Sequence, residues 1–199
     1  MSIKRMSFSL ISMDSKLYAI GGWNGNYLNS IETYDQQTNQ WKSIASMNII
    51  RRFIKFYKVI MMLQLIQNHI YVCGGENGNV INFCEYYSLN TNHWSIGQPM
   101  STENHGMAVI ADNGFIYTIG GQNKNGGNYL NSIERYDTIT QQWQPMANMR
   151  YTRCYFGSAS FMDKIYVCGG WGNSNCQSCE AYDPKTNQWT QIGCINDIR

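Results

Sequence analysis

Four short apolar runs punctuate an otherwise polar chain: Leu17-Tyr18-Ala19-Ile20, Ile70-Tyr71-Val72-Cys73, Ile116-Tyr117-Thr118-Ile119 and Ile165-Tyr166-Val167-Cys168. Each run ends in a glycine pair: Gly21-Gly22, Gly74-Gly75, Gly120-Gly121 and Gly169-Gly170. Runs of four residues rich in Ile, Val and Tyr, bounded by glycine, predict buried β-strands rather than helices. The Asp112-Asn113-Gly114 triplet just before the third run predicts a tight hairpin turn. Asp14-Ser15, Gln67-Asn68 and Asp163 hold the same place before the other runs. The glycine pairs recur at intervals of 53, 46 and 49 residues, so the strands belong to a repeat.

The second half of each unit repeats as well. A Glu is followed two residues later by Tyr and seven further on by Trp, as Glu32/Tyr34/Trp41, Glu85/Tyr87/Trp94, Glu134/Tyr136/Trp143 and Glu180/Tyr182/Trp189. From second glycine to Trp the distance is 19 residues in units one, two and four, and 22 in unit three. Paired glycines at a strand end permit positive φ and close backbone approach. Trp and Tyr at fixed positions supply large apolar area for stacking one unit on the next. A single unit cannot bury both its faces, so the units must stack.

This pattern resembles the Kelch repeat, over essentially the whole chain. The resemblance implies an all-β fold in which each unit is one β-propeller blade, a twisted four-stranded antiparallel sheet. One Kelch propeller domain is then expected over residues 1–199, with blades near 1–47, 48–100, 101–149 and 150–199. In unit three, strands are expected near 105–111, at Phe115–Ile119, near 132–136 and near 142–144. Gly21, Gly22, Gly74, Gly75, Gly120, Gly121, Gly169, Gly170, Trp41, Trp94, Trp143 and Trp189 are the structural residues of the repeat. Kelch propellers commonly close with six blades, so four form either a small ring or part of a larger one. An open arc would expose two apolar blade faces and favour self-association. The segment 49–66 is longer than its counterparts and carries Arg51, Arg52, Lys55 and Lys58; it reads as an enlarged loop or a partner-binding segment.

Composition narrows the function classes. Charged residues are 14% of the chain and the net charge is +2, too weak for nucleic acid or an anionic membrane to be the main partner. Seven cysteines without a framework spacing, no glycosylation sequon and no signal peptide point to a reducing, cytoplasmic setting.

The repeat also tests candidate chemistry, because a residue type shared by every unit is architectural. Of the 13 acidic residues, only Glu76, Glu103 and Asp197 stand outside the repeated columns and turns. No paired-carboxylate site follows from them. His69, His93 and His105 have no metal-ligand spacing. Cys176-x-x-Cys179 looks like half a zinc site, yet both cysteines align with apolar residues of the other units and read as core, as do Cys73 and Cys168. No phosphate-binding glycine motif is present. Neither catalytic residues, a metal nor a cofactor is expected.

The family resemblance implies a non-enzymatic protein-interaction module. Scaffolds associated with actin and substrate adaptors of ubiquitin ligases are both precedents. The rivals are a propeller enzyme acting on a carbohydrate and an incomplete gene product that is part of a larger propeller. In the adaptors, arginines four residues after a repeated Met take acidic peptide groups at the channel rim, flanked by aromatics just after the glycine pair. Here these columns read Arg5, Arg51, Asn104 and Arg153, and Trp23, Glu76, Gln122 and Trp171, with Tyr27 and Tyr129 in the same loops. A rim of Arg5, Arg51, Asn104, Arg153, Trp23, Trp171, Tyr27 and Tyr129 is therefore expected to take a protein or peptide with acidic groups. The alternative is that the arginines brace neighbouring blades.

Overall fold

The structure is a computed structural model that describes residues 1–13, 16–51, 65–66, 69–123, 128–173 and 177–194. The expected turns at Asp14-Ser15 and Gln67-Asn68, most of segment 49–66, and Cys176 lie outside the described residues.

Every regular element among the described residues is a strand, and the strands form four separate four-stranded antiparallel sheets. The first holds β1 (Ser9–Met13), β2 (Lys16–Trp23), β3 (Tyr27–Asp35) and β4 (Gln40–Ile44), and the second β5 (Leu65–Ile66), β6 (His69–Cys73), β7 (Cys84–Ser88) and β8 (His93–Ile96). The third holds β9 (Ala108–Asp112), β10 (Phe115–Ile119), β11 (Ile133–Asp137) and β12 (Gln142–Met146). The fourth holds β13 (Gly157–Phe161), β14 (Lys164–Cys168), β15 (Ser178–Asp183) and β16 (Gln188–Cys194). In each sheet the strands pair in chain order, as in a propeller blade. Strand β9 starts three residues later than the sequence suggests, because His105 makes only an isolated bridge, to Gln122 across the hairpin.

The hairpin of blade three turns where the Asn-Gly signal lies. Asn113 and Gly114 both take positive φ, 48° and 84°, the primed turn that matches the twist of the strands. Blade four makes the same turn with Met162 and Asp163, at 49° and 57°.

Alternation along the inner strands sends side chains to both faces, and both faces of blades two and three meet a neighbouring blade. Tyr18, Ile20, Ile31 and Met47 of blade one pack with Ile70, Val72, Tyr87 and Trp94 of blade two. Tyr71, Cys73, Cys84 and Met100 then meet Val109, Ile116 and Tyr136 of blade three. Ile110, Tyr117, Ile119 and Met149 meet Ile165, Val167 and Tyr182 of blade four. Indole N–H groups add one bond across each interface: Trp94 donates to Ala45, Trp143 to Gln98 and Trp189 to Ala147. Among the described residues no comparable apolar cluster joins blade four to blade one.

The glycine pairs work as the sequence implies. The N–H groups of Gly22, Gly75 and Gly121 donate to the carbonyls of Arg51, Asn104 and Arg153, in the connector to the next blade. At Gly121, φ is +100° and an added Cβ would overlap the Asn104 side chain, in the segment that leads into the same blade.

Cys73 and Cys179 are buried, as expected of core residues, but a link between two cysteines was not expected. Cys168 and Cys179 are not independent core side chains. They face each other across β14 and β15, with Cα atoms 4.2 Å apart, and are joined as a disulfide. Cys73 and Cys84 occupy the same register in blade two as buried thiols. Burial, with Cys73 beside it, pushes the Cys84 thiol well above its usual range.

Candidate rim site

One residue past each glycine pair, the hairpin mouth binds the connector. Trp23 bridges Met6, Gln122 bridges His105 and Trp171 bridges Cys154, all antiparallel. The post-glycine side chain therefore stands in one fixed backbone frame in each of these blades.

The residue before each bridging position is the Arg column, and its side chains point inward. The Arg51 Nη1 donates to the carbonyls of Gly74 and Phe83, at 2.8 and 3.2 Å, while Nη2 donates to Glu85 Oε1 at 2.6 Å. Arg153 repeats this with Gly169, Ser178 and Glu180, and Arg5 with Gly21, Ser30 and Glu32. The three ion pairs are buried on both sides. The backbones of Arg51 and Arg153 bond to the preceding blade, so each arginine fastens two blades together.

Burial pulls the Arg51 guanidinium below its ordinary range, and the Glu85 carboxylate opposes that shift. Burial likewise pushes Glu32 upward, but hydrogen bonds from Ser2, Arg5 and Ile3 outweigh it and hold the carboxyl below its usual value. In blade three, Asn104 is too short to reach the carboxylate. Its amide N–H donates to Gly120 at 2.7 Å and its Oδ1 accepts from the Gln122 backbone. Glu134 instead accepts the Ser101 N–H.

This corrects the expected rim. Arg51 and Arg153 brace neighbouring blades, Arg5 braces blade one internally, and Asn104 is buried with them, so none presents its side chain to a partner. The cause is the Glu column, which places an acid against each guanidinium in a site closed to water.

The aromatic half of the expected rim lies elsewhere. Trp171 is 55% exposed, and Trp23, Tyr27 and Tyr129 are half-buried. Trp23 and Tyr27 pair across the hairpin mouth with their rings edge to face, centroids 5.0 Å apart. An open cleft of about 440 Å³ beside them is lined by Lys4, Arg5, Met6, Trp23, Asn24 and Gly25.

Two cross-blade pairs complete this end of the molecule. Tyr27 donates its hydroxyl to Glu76 Oε1 at 3.3 Å. The Tyr155 hydroxyl lies 3.0 Å from His105 Nδ1. Tyr155 is a rim residue that the sequence reading missed. It stands two positions beyond the Arg column with φ +52°, as do Ser7 at +52° and Gly106 at +63°. Burial pushes its phenol well above the usual range, with Glu76 and Tyr129 adding to the shift.

Comparison with known proteins fixes the class. Residues 7–199 match the KLHDC2/KLHL20/DRC7 Kelch-repeats domain. The chain belongs to the Kelch-repeat family, and its fold is an all-β Kelch-type propeller. Kelch-like protein 36 of Rattus norvegicus is 32% identical over 119 residues, covering 57% of this chain and 18% of that protein. Kelch-like protein 4 of Homo sapiens is 40% identical over 52 residues, covering 26% and 7%. The Influenza virus NS1A-binding protein homolog of Xenopus laevis is 34% identical over 80 residues, covering 40% and 11%. The chain thus spans less than a fifth of the length of these relatives. Among solved structures, that of YjhT superimposes with a TM-score of 0.78 at 17% identity, over 98% of this chain and 67% of that one.

Proposed function

We propose that this chain is a non-enzymatic protein-interaction module working in the cytoplasm, with its binding surface at the rim formed by Trp23, Tyr27, Tyr129 and Trp171. Tyr155 completes that surface, while Glu76 and Gln122 of the post-glycine column are buried. The observation that carries the reading is the contrast between frame and content. The backbone after the glycine pairs makes the same antiparallel bridge in blades one, three and four, yet the side chains there differ and Trp171 stands in solvent. Rigid aromatics on a fixed frame give contact area at small entropic cost. The buried arginines withdraw the basis for an acidic ligand. The rim fits a peptide that offers apolar or aromatic side chains to Trp23 and Trp171.

Selection of a displayed random-peptide library against the chain tests this. Selected peptides should bind Trp171→Ala at least about tenfold more weakly, the loss of a modest interface anchor. The melting temperature of the variant should be unchanged, since the side chain is exposed. Undiminished binding to both Trp171→Ala and Trp23→Ala would place the surface elsewhere.

A further inference from the structure

Two of the four blades carry a pair of cysteines where the other two carry a pair of isoleucines. Cys73 faces Cys84 in blade two and Cys168 faces Cys179 in blade four, at the register of Ile20 and Ile31 in blade one and of Ile119 and Ile133 in blade three. The isoleucines are fully buried, so the fold needs only apolar side chains at this rung. In each cysteine blade the next rung holds a ladder bond, from the Gly74 N–H to the Phe83 carbonyl and from the Gly169 N–H to the Ser178 carbonyl. The cysteines therefore form non-hydrogen-bonded pairs, whose Cα atoms come closest in an antiparallel sheet, about 4.5 Å apart. Blade four shows what that closeness allows: its pair is bonded, at a Cα separation of 4.2 Å.

Blade two has the same arrangement with the bond unmade. Its two thiols are buried and near enough to share a hydrogen bond. In both blades the cysteines are 11 residues apart, and they enclose the stretch that follows a glycine pair, with Glu76 in one and Trp171 in the other. Both pairs also lie one rung inside an arginine brace: Arg51 holds the Gly74 and Phe83 carbonyls, and Arg153 those of Gly169 and Ser178. A disulfide at this rung ties covalently the two strands that the guanidinium ties by hydrogen bonds.

We propose that Cys73 and Cys84 are a second disulfide site, and that the two pairs act as redox clamps on the hairpin mouths of blades two and four. The oxidant is a small disulfide of the glutathione type. A protein thiolate attacks it and expels one small thiol; the neighbouring thiolate then attacks the mixed disulfide and expels the second. Two protein thiols are oxidised to one disulfide, and the small disulfide is reduced to two thiols that keep the protons. Burial disfavours the thiolate in blade two, so exchange there waits for the hairpin to open. In a reducing compartment such bonds serve sensing rather than permanent structure. The clamps depend neither on what packs against blade four nor on what the rim binds.

Mass spectrometry of the full chain tests this. The chain is equilibrated in glutathione buffers of graded ratio, starting once from the reduced and once from the oxidised form, then denatured and its remaining thiols alkylated. In the most reducing buffer all seven cysteines should be alkylated. In the most oxidising one, Cys73 with Cys84 and Cys168 with Cys179 should each be recovered as a linked peptide pair. The melting temperature should be at least about 5 °C higher in the oxidised form, because closing each short loop restricts the unfolded chain. Cys73→Ile combined with Cys84→Ile should fold, as blades one and three do with isoleucine at this rung, keep the bond in blade four and lose part of that rise. Alkylated Cys73 and Cys84 in the oxidising buffer, from both starting forms, would overturn the proposal, and so would a link from either to any other cysteine. An equal rise in the isoleucine variant and the parent would show that blade two is not clamped. Alkylated Cys168 and Cys179 in that buffer would overturn the clamp on blade four.

Discussion

At the residue scale, the decisive feature is that the same few atoms hold successive blades together. A guanidinium in the Arg column has three partners that cannot move: two carbonyls at the hairpin mouth and one buried carboxylate. Truncating Arg51 to Ala would leave the buried Glu85 without its counter-charge, held only by the backbone N–H groups of Asn48 and Ile49. Such losses cost about 3–5 kcal/mol, so urea unfolding of Arg51→Ala should show a correspondingly lower midpoint. Asn104→Ala removes only neutral hydrogen bonds, about 1–3 kcal/mol, and should fall well short of it. Acid should act on the same device. Glu32 has a folded-state pKa below its usual 4.5, so it contributes stability above that value and loses it as pH falls through the folded pKa. The melting temperature of the parent should drop below about pH 4.5, and Glu32→Gln should flatten that part of the profile.

At the scale of the element, a hairpin and its two neighbours explain what the sequence could tell. Strand β10 lies where the run from Phe115 to Ile119 places it, and the Asn113-Gly114 turn has the predicted handedness. Those are local signals: alternation, glycine and turn chemistry act within a few residues. The direction of the Arg side chains was not legible, because the partner acid stands 34 residues away for Arg51 and 27 for Arg153. Blade three obscured the coupling further by keeping Glu134 while replacing Arg with Asn104. Tyr155 was hidden for a different reason: Ser7, Gly106 and Tyr155 share a backbone conformation and no side-chain chemistry. The Trp column, by contrast, can be tested blade by blade. Trp94 is buried and donates to Ala45 across an interface, while no such bond is made by Trp41 among the described residues. Removing one such hydrogen bond costs about 1 kcal/mol. Trp94→Phe should therefore lower stability measurably more than Trp41→Phe, and equal losses would show that the bond to the preceding blade does not matter.

At the scale of the whole molecule, stacked repeats derive stability from their neighbours, because each core is shared between two blades. Blades two and three each complete two apolar clusters, while blades one and four each complete one. Local opening should follow that count: a region with fewer buried contacts opens at lower free energy. Amide hydrogen exchange under native conditions should find β9 and β10 the most protected. Strands β13 and β16 should exchange earlier, since their side chains are largely exposed. Uniform protection would mean instead that the four blades open together, with the cooperativity carried by the arginine braces rather than by the apolar faces.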